Sequence, residues 1–154
     1  SLAIFYHILY GELSKASTFT SFAVKKFPDN EVFYAYNAWL LLQQENLTEE
    51  TLIKADEALQ KGLAINNKNP MISLTFWQLE EKRNNIEKAF VYYKQTVSFD
   101  KWGEYGKLAK KKLEELEKKG LIIKINKNSK GFKYSRRLRW RISNKAHNIY
   151  KKHQ

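Results

Sequence analysis

At 154 residues, with 43% hydrophobic and 29% charged, the chain is long enough to bury a core and too apolar for general disorder. Its 28 Lys and Arg against 16 Asp and Glu give a net charge of +12, and the absence of Cys excludes a disulfide framework and a thiolate zinc site without choosing a compartment. The longest nearly uncharged apolar stretch, Leu2 to Tyr10, is interrupted by His7 and falls far short of the ~20 residues of a membrane span. The chain opens at Ser1 with no Met, no basic n-region and no cleavage-type sequence. It therefore reads as part of a longer protein whose targeting signal would lie upstream, leaving cytoplasm and cell envelope both open.

In chain order, Leu2 to Tyr10 carries apolar residues at helical spacing and is followed by a second such segment, Ala16 to Phe27. Val32 to Gln43 and Ala55 to Asn66 repeat the pair, and Met71 to Lys82 and Ala89 to Asp100 repeat it again. The second members align with one another. Ala55 to Asn66 matches Ala89 to Asp100 at an offset of 34, with Ala55/Ala89, Ala58/Tyr92, Leu59/Tyr93, Leu63/Val97 and Ile65/Phe99 coinciding. Ala16 to Phe27 fits the same frame at an offset of 39, which is 34 plus a five-residue insertion around Asn46 to Glu50. The unit is helix, turn, helix. Glu104 to Lys119 predicts one more helix, with Tyr105, Leu108, Ala109, Leu113 and Leu116 on a stripe and Gly120 as its stop.

A 34-residue unit of this kind resembles the tetratricopeptide repeat (TPR), over residues 1 to about 119. Gly11 to Ala16, Ala23 and Phe27-Pro28-Asp29-Asn30 resemble the turn, second helix and closing loop of one copy. Ala55, Leu59 and Gly62 keep the small-large-small spacing in the next, where Asn67 stands in place of Pro. The third copy keeps Ala89 and Tyr93 but departs at Phe76-Trp77, Thr96 and Lys101. The resemblance implies an all-α right-handed superhelical array closed by Glu104 to Lys119, with a concave groove lined by first helices that binds a protein partner's peptide or helix. Its positions here are Phe5, Ile8, Ala35, Trp39, Leu42, Leu74, Gln78 and Glu81, with Trp39 as anchor candidate or, equally, a core aromatic. The Lys and Asn clamp by which some family members hold C-terminal carboxylates is not visible on these helices, so a chaperone-tail receptor is not expected.

Residues 1 to 120 carry 17 basic and 16 acidic side chains, whereas residues 121 to 154 carry 11 basic and none acidic. This shift marks a boundary near Gly120. The richness in Lys and Asn matches the codon bias of an AT-rich genome, which would raise the Lys count without functional selection. The four Arg within residues 136 to 141 are not explained that way. Leu121 to Lys127 reads as a strand, Asn126 to Gly131 as a turn, and Phe132 to Ile142 as an alternating return strand that buries aromatics and exposes cations. Ser143 reads as the N-cap of a short helix to Tyr150. Lys130, Lys133, Arg137, Arg139 and Arg141 are the polyanion-binding candidates, suited to an acidic protein surface, an anionic membrane or nucleic acid. The segment also resembles the end of a winged-helix domain, which would make Glu104 to Lys119 a recognition helix and the chain a nucleic-acid binder.

Chemistry is not indicated. His7, His147 and His153 are scattered, there is no Gly-rich phosphate loop, and Glu114, Glu115 and Glu117 lie on a Lys-rich helix as a solvated face. The expectation is a noncatalytic scaffold of a larger bacterial assembly, with no cofactor, metal or small-molecule substrate.

Overall fold

The computed structural model describes residues 13–124 and 140–152. Six helices run in sequence: α1 (Leu13–Lys26), α2 (Glu31–Leu42), α3 (Glu49–Ile65), α4 (Pro70–Lys82), α5 (Ile86–Phe99) and α6 (Glu104–Lys118). Then come β1 (Ile122–Lys124), β2 (Trp140–Ile142) and α7 (Asn144–Lys152). The helix expected over Leu2 to Tyr10 lies outside the described residues.

Local chemistry sets the starts. Asn30, Thr48, Asn69 and Asn85 each cap a helix, their side chains accepting from Val32 N at 3.1 Å, Thr51 N at 3.2 Å, Met71 N at 2.9 Å and Lys88 N at 3.3 Å. Pro70 occupies the first turn of α4, where its missing N–H costs nothing. The five-residue insertion falls at the α2–α3 connection, residues 43–48, which is longer than the 83–85 connection of the next pair. The insertion is thus divided between this longer loop and an earlier start of α3, which begins six residues before Ala55 where α5 begins three before Ala89.

The repeat frame is also the packing frame. Ala16, Ala55 and Ala89 are all buried, as are Thr20, Leu59 and Tyr93 four residues further along each second helix. The small side chains let α1, α3 and α5 approach their partner helices, and the larger ones fill the space between. Gly62 shows how tight this is: a Cβ there would meet Ile72 Cδ1 at 2.6 Å. The departures in the third copy have partners. Thr96, at the position of Gly62, is buried with its hydroxyl 2.8 Å from Ser73 Oγ and 2.8 Å from Tyr92 O. Trp77 is buried edge-on to Tyr93, with ring centroids 4.4 Å apart, and donates its indole N–H to Glu81.

Ala55→Leu and Ala89→Leu should each overpack a helix contact and cost about 1–3 kcal/mol in chemical denaturation. Unchanged midpoints for both would contradict the register.

Helix α6 ends where expected. Gly120 has φ of +74°, and Leu121 N donates to Leu116 O at 2.9 Å, closing the helix with the left-handed residue that glycine tolerates. The expected stripe on α6 is corrected at one position: Ala109, Leu113 and Leu116 are buried, but Leu108 is 50% exposed. It sits about 100° around the helix from Ala109, beyond the arc covered by α4 and α5.

β1 and β2 pair antiparallel with Ile122 opposite Ile142 and Lys124 opposite Trp140. Trp140 is buried, Arg141 exposed and Ile142 half-buried, the alternation expected of the return strand. Ser143 caps α7, its Oγ accepting from Ala146 N at 3.2 Å. Ile122 and Trp140 join Leu74, Trp77, Ala89, Phe90, Tyr93, Ala109, Leu113 and Leu116 in one buried cluster. The hairpin thus shares a core with the last helices.

Candidate functional site

The first helices of successive repeats are α2 and α4, and α6 continues their series. The 34-residue frame with its insertion lines up Trp39, Gln78 and Lys112 in one row. Ala35, Leu74 and Leu108 form a second row, and Leu42, Glu81 and Glu115 a third. The structure sorts the eight expected groove residues. Ala35, Leu42 and Leu74 are buried, the first two among Tyr36, Leu52, Leu59 and Phe76 and the third beside Trp77 and Ala89. This corrects their assignment to an open lining: neighbouring helices pack close enough to cover these small and branched side chains. Trp39 is half-buried against Ala16, Phe19 and Leu40, which makes it part core and part surface. Phe5 and Ile8 lie outside the described residues.

Gln78 and Glu81 keep surface, and here the polar chemistry gathers. Glu81 Oε1 accepts from Trp77 Nε1 and from the Tyr93 hydroxyl, while Glu81 Oε2 meets Lys112 Nζ at 3.3 Å. One carboxylate is thus held by two buried aromatics and presented to a cation from α6. Burial first, and then the bond to Glu81, hold the Tyr93 hydroxyl far above its usual range, so it remains a donor. Gln78 Oε1 is buried without a hydrogen-bond partner among the described residues. Leu108 stands one turn before Lys112 on α6 and remains half exposed. Leu108 and Lys112 were missing from the expected groove because α6 was read as a closing helix; extending the 34-residue offset one step further would have found both.

A second polar cluster lies between α3 and α4. Arg83 Nη1 is 3.1 Å from Asp56 Oδ2 and 3.4 Å from Glu80 Oε1. Glu80 is only 5% exposed, and its Oε2 has no partner among the described residues. Burial, followed by the nearby Glu80 and Asp56 charges, raises the Tyr92 hydroxyl above its ordinary value.

Of the polyanion candidates, Arg141 is exposed on β2, whereas Lys130, Lys133, Arg137 and Arg139 fall outside the described residues. What anchors their segment is visible. The Trp140 indole N–H donates to Glu117 Oε2 at 3.2 Å, Lys145 Nζ donates to Lys119 O at 3.2 Å, and His147 Nδ1 lies 2.7 Å from Glu87 Oε1. No three His, Asp or Glu side chains converge as metal ligands among the described residues, and no helix there is long and apolar enough to cross a membrane.

No protein-family model matches the chain, and no curated protein matches it in sequence. Among solved structures it is similar to the Arabidopsis OM64 TPR domain, at 19% identity and a TM-score of 0.56, over 71% of this chain and 86% of that one. At that identity the likeness concerns the fold, and it lends the winged-helix resemblance no support. The fold is accordingly all-α, a tetratricopeptide-like helix-turn-helix array with a small β-hairpin near its C-terminal end.

Proposed function

We propose that this chain is a noncatalytic protein-interaction scaffold that takes a partner's peptide or helix along the face shared by α2, α4 and α6. The observation that supports this most directly is the meeting of three features from two helices. These are the Glu81–Lys112 ion pair at 3.3 Å, the unpartnered Gln78 oxygen and the half-exposed Leu108. A carbonyl oxygen left without a donor suits a peptide N–H, which the half-buried Gln78 side chain would reach by turning that buried oxygen outward. A fixed carboxylate and ammonium pair sets polarity, and Leu108 with the open part of Trp39 offers apolar area.

A peptide library displayed against the intact protein should yield ligands that bind Leu108→Asp and Lys112→Glu at least tenfold more weakly. Leu108 is half exposed, so the melting temperature of Leu108→Asp should move little, whereas Lys112→Glu sets a second carboxylate against Glu81 and should lower it, which Lys112→Gln avoids while still removing the ion pair. Ligands indifferent to both changes would sink the groove reading, while a selective loss with Arg141→Ala would move the interface to the C-terminal segment. Trp39→Ala should lower affinity by about 2 kcal/mol if Trp39 is an anchor, and lower the melting temperature alone if its role is packing.

A further inference from the structure

A second surface lies at the end of the array where each second helix turns into the next first helix. The turns at residues 27–30, 66–69 and 100–103 share this end because successive helices alternate in direction. Side chains tie them together: Glu31 Oε1 accepts from Asn66 Nδ2 at 3.1 Å and from Asn69 Nδ2 at 3.0 Å. Ser73 Oγ and Thr96 Oγ1, 2.8 Å apart, join the start of α4 to the end of α5. The hairpin and α7 contact the opposite end, since His147 meets Glu87 in the first turn of α5.

Each turn on this edge shows water an apolar side chain next to a lysine. In the first, Lys26 Nζ lies 5.6 Å from the Phe22 ring and 5.8 Å from the Phe27 ring, and both rings are about half exposed. Phe27 is backed by Phe33 at 5.7 Å, which holds it in place. In the second, Ile65 and Lys68 are exposed. In the third, Trp102 is 80% exposed with Lys101 Nζ 5.0 Å from its ring centroid. That turn is rigidly built: Asp100 Oδ2 accepts from Tyr105 N at 3.1 Å and Gly106 N at 3.3 Å, and Asp100 O accepts from Gly103 N at 3.2 Å. A fixed turn thus holds a tryptophan in water, its apolar area unburied.

Charge on this edge is also unspent. Among the described residues no carboxylate lies within ion-pair distance of Lys25, Lys26, Lys68 or Lys101. Two of the carboxylates here are turned to protein donors. Glu31 goes to the Asn amides, Asn69 first, which hold it below its ordinary pKa, and Asp100 goes to the start of α6. Asp29 and Glu104 are the exposed acids left against four lysines.

The geometry points to this edge as a contact with an anionic lipid bilayer, Trp102 entering the headgroup zone and the lysines meeting lipid phosphates. Among the described residues the aromatic and apolar tips stand exposed on separate successive turns, an arrangement that suits a flat apolar layer better than a peptide or a nucleic-acid base. A bilayer needs no shape complementarity, and it favours Trp at the interface with Lys beside it. This surface is distinct from the α2, α4 and α6 face and stands whether or not that face binds peptide.

The test uses the intact chain with vesicles of phosphatidylcholine, with and without phosphatidylglycerol. Cosedimentation should require the anionic lipid. Trp102→Ala should weaken it by roughly tenfold or more, and Lys26→Ala and Lys101→Ala by roughly fivefold each. Residues 121 to 154, with 11 basic side chains and no acidic ones, will adsorb by charge alone, so insertion is the deciding readout. Brominated acyl chains should quench tryptophan emission in the wild type and lose most of that quenching in Trp102→Phe. Trp102 is largely in solvent, so melting temperatures should be unchanged. Vesicle binding that ignores Trp102, or an absence of quenching by brominated chains, would overturn the proposal. Trp102-dependent binding to duplex DNA or an acidic peptide without vesicle binding would reassign the edge to that partner.

Discussion

Gly106→Ala should destabilise the chain by about 3 kcal/mol or more, a large effect for one added methyl. A Cβ at this position would stand 1.7 Å from the backbone oxygen of Asp100 and 2.7 Å from its carbonyl carbon, and main-chain atoms cannot rotate aside as a side chain can. The α5–α6 turn would have to open, and the Asp100 carboxylate would give up the amides of Tyr105 and Gly106. Denaturant unfolding compared with Lys107→Ala, an exposed change on the same helix, isolates the effect. A midpoint equal to that of the control would mean that the turn relaxes freely and does not fix Trp102. A destabilised Gly106→Ala that still folds should also bind anionic vesicles less well, because the rigid presentation of Trp102 depends on the same turn.

Trp140→Ala should cost about 3–5 kcal/mol and expose the C-terminal segment to protease. Its indole is buried with Leu113, Leu116 and Ile122, and its N–H donates to Glu117, so truncation removes both the packing that seats the hairpin on α6 and a polar tie. Trp140→Phe keeps most of the packing and should cost the hydrogen bond, about 1 kcal/mol, in addition to any loss of fit. Cleavage within residues 121–154 of the alanine variant, with the helices melting as before, would instead show the array to be independent of the hairpin and α7. A joint loss of hairpin protection and helix stability is the expected result, since Ile122 and Trp140 share one cluster with Ala89 and Tyr93.

The effects expected at Gly106 and Trp140 differ in how readable they were. The 34-residue frame was legible in the chain because small residues at Ala16, Ala55 and Ala89 mark close helix approach, and spacing along one helix is a local property. The helix start at Ser143 was equally local, a single side chain satisfying a nearby amide. The alternation in the return strand, with Trp140 inward and Arg141 outward, came from the period of a strand.

Exposure could not be read the same way, because it depends on how closely the neighbouring helix approaches. The tetratricopeptide resemblance put Ala35, Leu42 and Leu74 on a groove face, yet adjacent helices cover them, and helical periodicity erred on α6. It put Leu108 in a buried stripe that ends one position short of it. Trp77 and Glu81 are four apart on one helix, but their meeting with Tyr93 and Lys112 joins three helices, and only the packing of α5 and α6 against α4 brings those two side chains to the same carboxylate. The same holds for Trp102, whose turn at residues 100–103 looks ordinary in sequence. It stands in water because Asp100 and two glycines lock the turn outward. The chain by itself determined which residues form helices and in what repeating order. Only the tertiary structure decided which faces close and which side chains are left to meet a partner, because burial is a relation between elements separated in sequence.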